Sequence, residues 1–229
     1  MFKKLTTACL ALVALATLAI PASASAASPA LTTAGGALYT GAVKAVNVGF
    51  TKFTSEAGGP TVECSNDLLE GNVITNAGAG GAIVGEVTSA FFKGIEAGER
   101  CSSNLGSVTV KTGNPDGPVE NGTPWCMTAE PGAAMELKVR GGKCSEGARK
   151  ITFVLEFHSI MTVSCKYERT APVVGAYNTS PEDAKGTVAG GEGTTFTGEA
   201  GNSGTCPTSG TLDMTFELQT NTGGTLTIS

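Results

Sequence analysis

The chain has 229 residues, 32 of them glycine, with 41% hydrophobic and 15% charged residues and a formal net charge of -5. Its lysines and arginines are scattered rather than gathered into a stripe. It therefore offers no surface suited to neutralising the phosphates of nucleic acid or of an anionic membrane.

In chain order, the first predicted element is an export leader over 1–26. Lys3 and Lys4 give a basic start, "LTTACLALVALATLAI" an apolar core, and "PASASAA" the helix-breaking proline and small residues that a signal peptidase needs. Cleavage is expected after Ala26 or Ala27. Cys9 leaves with the leader, because the "LTTA" before it lacks the aliphatic pattern of a lipid-attachment site. Both leader charges are lysines, so 13 basic and 20 acidic residues remain, a net charge of -7. Six of the seven cysteines also remain, an even number in an oxidising compartment, which implies a disulfide framework. No later stretch approaches the roughly 18 uncharged apolar residues of a spanning helix. The expectation is a secreted, extracellular protein without a membrane span.

From residue 28 onward the hydrophobic period is two. Segments such as "AVNVGFTKF", "SVTVK", "AMELKVR" and "LDMTFELQT" alternate apolar and polar residues, and Ile151, Phe153, Leu155 and Phe157 alternate with Thr152, Val154, Glu156 and His158. Glycine, asparagine and proline clusters separate them, among them "GNPDG" and "RGGK", the latter read as a two-glycine hairpin turn. About a dozen short strands and no helix result, an all-β fold.

The span 113–124, "GNPDGPVENGTP", has no apolar run and is read as a linker between a first β lobe at 28–112 and a second at 125–229. Each lobe is expected to be an antiparallel β-sandwich. The alternative is one continuous β-sandwich with strands exchanged between the halves.

The halves share landmarks. "TVEC" ends at Cys64 and "TVSC" at Cys165, each preceded by an alternating segment and followed by an F-x-G stretch, Ala-Gly, a second cysteine and another alternating segment closed by glycine. The separations, Cys64 to Cys101 and Cys165 to Cys206, are 37 and 41 positions. This frame reads as an internal duplication. If each copy keeps its own bridge, Cys64 pairs with Cys101 and Cys165 with Cys206, and Cys126 and Cys144 pair by elimination. None of the six is spaced like the close pairs of zinc sites, so no metal is expected.

Candidate chemistry is sparse, and no cofactor is expected. "NAGAGGAIVGEV" has the wrong residues for either nucleotide-binding glycine frame: Ile83 stands where one needs glycine, and Glu86 where the other needs lysine. His158 is the only histidine, and Ser159 beside it faces the other way on a strand, so no serine triad forms. Glu156 and Asp213 are the carboxylates to consider for glycosidase-like chemistry. The oxygen-rich 114–122 lacks the order of ligands in a calcium loop. Trp125, the only tryptophan, either covers a buried bridge or presents a ring to a sugar face, and is the ligand-binding candidate. The function these residues support is a noncatalytic extracellular or cell-surface binding module for a glycan, small molecule or protein. The alternatives are a secreted hydrolase using carboxylates and a structural coat or matrix component.

Overall fold

Where apolar and polar residues alternate the chain is extended, and where glycine, proline and asparagine break the alternation it bends. The computed structural model describes residues 28–229 apart from 79, 96–98, 114–115, 133–134 and 179–182; the leader expected at 1–26 lies outside them. Seventeen strands and no α-helix form among the described residues. All-β is thus the fold class.

After β1 (Leu31–Thr33), fifteen strands make eight staves. The first stave is β2 (Gly41–Asn47) continued by β3 (Thr51–Ser55), and the second is β4 (Thr61–Cys64) continued by β5 (Leu68–Asn76). The third is β6 (Ile83–Phe91) with β7 (Cys101–Ser103), and the fourth β8 (Gly106–Lys111) with β9 (Trp125–Ala129). The fifth is β10 (Glu136–Gly141) with β11 (Ile151–His158), the sixth β12 (Thr162–Arg169) with β13 (Val173–Tyr177), and the seventh β14 (Ala184–Val188) with β15 (Thr195–Gly198). The eighth, β16 (Ser209–Thr220), runs unbroken for 12 residues. β17 (Leu226–Ile228) ends the chain and pairs only with β1.

Each stave pairs antiparallel with the next at two heights. In an upper ring β2, β5, β6, β9, β10, β13 and β14 follow one another, and both ends of the series pair with the second half of β16. In a lower ring β3, β4, β7, β8, β11, β12 and β15 do the same around its first half. Phe216 lies between Asn47 and Gly186, and Gly210 between Ser55 and Phe196. Both rings therefore close, and the wall is an eight-stranded up-and-down β-barrel with a bend in seven of its staves.

The two expected lobes do not stand apart. β6 pairs with β9 and β8 with β11, while β16 pairs with β2 and β3, so the ladder of each half runs into the other. Of residues 113–124, expected to link lobes, 114–115 lie outside the described residues and the rest fall between β8 and β9 of the fourth stave, while "RGGK" lies at the bend of the fifth rather than in a hairpin. A glycine-rich break in the middle of a stave carries the same residue types as a chain reversal. What the pairing supports is the continuous alternative, one β body, rolled until its edges meet.

The wall is apolar inside and ionic outside. Leu155, Phe153, Val108, Val62 and Phe196 are buried within the lower ring, and Ala45, Val87, Val139 and Phe216 within the upper, in one continuous cluster. Thr152, read as outward-facing, is buried too, with its N–H donating to the Asn121 carbonyl of the fourth stave's bend. On the outer face Lys52 pairs with Glu63 at 2.8 Å, Lys111 with Glu156 at 2.7 Å and Lys150 with Glu168 at 2.7 Å, each across neighbouring staves. Such exposed pairs contribute only about 0–1 kcal/mol each, but they fix the polarity of the wall, which is the reverse of a barrel that crosses a bilayer. Among the described residues no helix is long and apolar enough to cross a membrane. Gly210 is required where it is, because a Cβ there would stand 2.4 Å from the Phe53 ring that fills the lower ring.

Three disulfides join Cys64 to Cys101, Cys126 to Cys144 and Cys165 to Cys206, the pairs the cysteine frame calls for. The first ties the second stave to the third, and the last ties the sixth stave to the turn before the eighth. The four matched landmarks of the two halves fall on staves one and five, two and six, three and seven, and four and eight.

Candidate functional site

An eight-stranded barrel is just wide enough for side chains to fill it or for one small ligand to share it. Here the filling is incomplete. An upper chamber of about 110 Å³ is lined by Val43, Val73, Ile83, Leu137 and Tyr177 of the wall and closed above by Leu31 and Ile228 of the terminal ribbon. A lower chamber of about 70 Å³ is lined by Phe53, Val62, Trp125, Ile151 and Phe196. Leu69, Met127, Val139 and Met214 line both, so the chambers lie end to end. Their surfaces are almost wholly carbon.

Below the lower chamber an aromatic cluster makes the floor. Phe153 meets Phe53 edge-on at 5.4 Å and Phe196 at 5.0 Å, and Tyr167 lies 4.8 Å from Phe53. Edge-to-face contacts of this kind add about 0.5–1.5 kcal/mol each to the burial of the rings. Tyr167 is fully buried and its hydroxyl has no partner. Burial pushes its pKa up to about 12.

Above the upper chamber the two chain ends form the roof. β1 and β17 make a two-stranded ribbon separate from the wall ladder, and Leu31, Leu226 and Ile228 face down from it onto Val73, Ala129 and Tyr177. One wall side chain clasps the ribbon. Asn76, the last residue of β5, accepts from the Leu31 N–H at 3.2 Å and donates to the Leu31 carbonyl at 2.5 Å and the Tyr39 carbonyl at 2.9 Å. Its amide occupies the place of a neighbouring strand.

Trp125 is 7% exposed and points into the barrel, in the same buried cluster as the Cys64–Cys101 bridge. It presents no ring to an outside sugar. Glu156 and Asp213 stand on the outer wall of the fifth and eighth staves, Glu156 held by Lys111. The structure does not bring them together in a cleft. His158 is also on the outer wall, with Nε2 2.9 Å from the Thr109 hydroxyl and Nδ1 3.4 Å from that of Thr162, while Ser159 Oγ bonds to the Met161 carbonyl. Among the described residues no three of His, Cys, Asp and Glu gather as metal ligands. Sequence reasoning missed Met127, Met214 and Asn76. Alternation places the methionines on the inner face, but only closure of the barrel shows that they line the same two chambers.

Set against known proteins, the chain matches no family model, and no curated protein or solved structure resembles it closely enough to lend it a role. Its function must be read from the barrel itself.

Proposed function

We propose that this protein is an exported, noncatalytic binding module that holds a small apolar molecule inside its barrel. The observation that carries the reading is the pair of carbon-lined chambers lying end to end beneath a roof that shares no ladder with the wall. Apolar guests bind such hollows because the walls are already dry and packed on all sides. Export is supported by the leader pattern and by three disulfides, the cysteine usage of an oxidising compartment. Closure also bears on the coat or matrix alternative, since among the described residues the closed wall leaves only the three-residue strands of the β1–β17 ribbon with edges free for self-association. The placement of matching landmarks four staves apart supports descent from a duplicated four-stave unit.

The test is titration of the purified protein with the methyl ester of parinaric acid, a linear uncharged tetraene that brightens in apolar surroundings. Saturable enhancement is expected, displaced by alkanes and not by sugars. Ala129, a small buried residue on the upper chamber, offers the control. Ala129→Phe fills the hollow and should abolish the enhancement at a stability cost of about 1–3 kcal/mol. Absence of enhancement in the wild-type protein would defeat the reading.

Asn76 governs the way in. Asn76→Ala removes three hydrogen bonds, each contributing about 0.5–1.5 kcal/mol, and leaves the ribbon on its hinges. Loosening by about 2 kcal/mol is expected, which is roughly a 30-fold rise in the open population. Hydrogen exchange should show faster exchange in β1 and β17 with the wall amides unchanged, and stopped-flow mixing should show faster probe uptake. Unchanged exchange in the ribbon would mean that apolar packing of Leu31, Leu226 and Ile228 alone holds the roof.

A further inference from the structure

The two chambers meet at a partition made of four side chains, Leu69 of the second stave, Met127 of the fourth, Val139 of the fifth and Met214 of the eighth. Leu69 and Val139 are buried, branched and held in their strands. Met127 and Met214 are different. They come from staves four apart in a ring of eight, so they reach inward from opposite sides, and both are only part-buried, while Trp125, Ala129 and Phe216 beside them are buried. A methionine side chain has three rotatable bonds and a polarisable thioether, and it changes rotamer at little cost. Turning the two aside joins the chambers into one channel along the barrel axis.

The shape of that channel selects its guest. The upper chamber, about 110 Å³, is smaller than the roughly 150 Å³ hollow that takes a benzene ring, and the lower, about 70 Å³, is smaller still. Neither suits a rigid ring system, and only a guest that occupies both gains contact over the whole length. The polar groups beside the lower chamber give it almost no surface: the Trp125 indole N–H is buried, the Thr51 hydroxyl is buried near Asp67, and the Thr112 hydroxyl donates to the Ala90 carbonyl. A hydrogen-bonding group carried down there would go unsatisfied, at a cost that an apolar chain avoids.

We propose, building on the binding role argued above, that the guest is an unbranched hydrocarbon chain lying along the barrel axis, and that Met127 and Met214 form a movable partition setting how deep the chain reaches. Trp125 lines the lower chamber alone and is the sole tryptophan, so it reports on arrival there. The experiment uses n-alkanes brominated at both ends, in a series from short to long, with the full mature protein. Binding is read from the methyl signals of carbon-13-labelled methionine, and depth from bromine quenching of Trp125 fluorescence. Affinity should rise about fourfold per added methylene, with quenching absent for the shortest chains and strong once a chain passes the methionine pair.

In the Met127→Ala/Met214→Ala protein the threshold length for quenching should fall. Met127→Leu, close to volume-conserving, should keep the fold while raising the threshold. Long chains that bind yet never quench Trp125 would overturn the partition and leave the binding role standing. Chains of every length that leave both the methionine methyls and Trp125 fluorescence unmoved would overturn both. A threshold unmoved in both methionine variants would show that the channel is open without them and would sink the partition.

Discussion

Replacing Cys64 and Cys101 together by alanine is expected to lower the stability of the oxidised protein by about 4 kcal/mol. The bridge closes a loop of 37 positions, and the loss of loop entropy in the unfolded chain rises with the logarithm of that length. The loop holds the whole β5–β6 hairpin of the upper ring, while the bridge itself lies in the lower ring between β4 and β7. It therefore keeps the lower ends of two staves together while their upper ends find each other. Both sulfurs are inside the barrel, with Cys64 and Cys101 at 3% and 0% exposure, so alanines also leave a void beside Trp125 and Val62. The Cys126–Cys144 bridge spans 18 positions and should contribute about 3 kcal/mol by the same argument. Urea unfolding of the two double variants checks the order. An equal or smaller loss at Cys64–Cys101 would mean that the native β4–β7 pairing already constrains the unfolded chain.

Alternation along single segments reported the inner face well: Ile151, Phe153, Leu155 and Phe157 all point inward, and the cysteine frame indicated all three bridges. What alternation cannot carry is the difference between a bend within a stave and a reversal between two. At Gly49 the backbone takes φ +81°, and at Gly113 +100°, both in breaks where the chain then continues in the same direction. The same residues would serve a hairpin equally well. Closure is equally hidden, because it depends on β16 meeting β2 and β3 from the far end of the chain. Once closure is missed, Trp125 is left with no inside to point into. The binding hollow is a property of eight staves at once, and no single segment carries its signature.

Asp67→Asn is expected to stabilise the protein by about 2 to 3 kcal/mol at pH 8 and by almost nothing at pH 4. Asp67 sits at the bend of the second stave, 2% exposed. Its carboxylate Oδ1 accepts from the Lys93 N–H at 2.9 Å, but Oδ2 has no well-aligned partner, and the Thr51 hydroxyl stands close to the carboxylate without the geometry of a full hydrogen bond. Burial pushes its pKa from 3.8 up to about 6, with the Thr51 hydroxyl and the Lys93 N–H pulling the other way. Below the unfolded pKa the side chain is neutral in both states and costs nothing. As pH rises through the window from about 4 to 6, the unfolded chain releases the proton while the folded one keeps it, so stability falls. Above about 6 the folded protein carries the buried charge, and the penalty is complete. Asparagine keeps an acceptor for the Lys93 N–H and never charges. Main-chain anchoring is untouched, since the Asp67 N–H donates to Asn47 Oδ1 at 2.9 Å and its carbonyl accepts from the Asn47 N–H at 3.2 Å. Urea unfolding at the two pH values gives the result directly: a difference between variant and wild type that opens between pH 4 and 6 confirms a neutral Asp67 in the acid-folded state. A difference independent of pH would show that water reaches Oδ2 at the bend and solvates the charge.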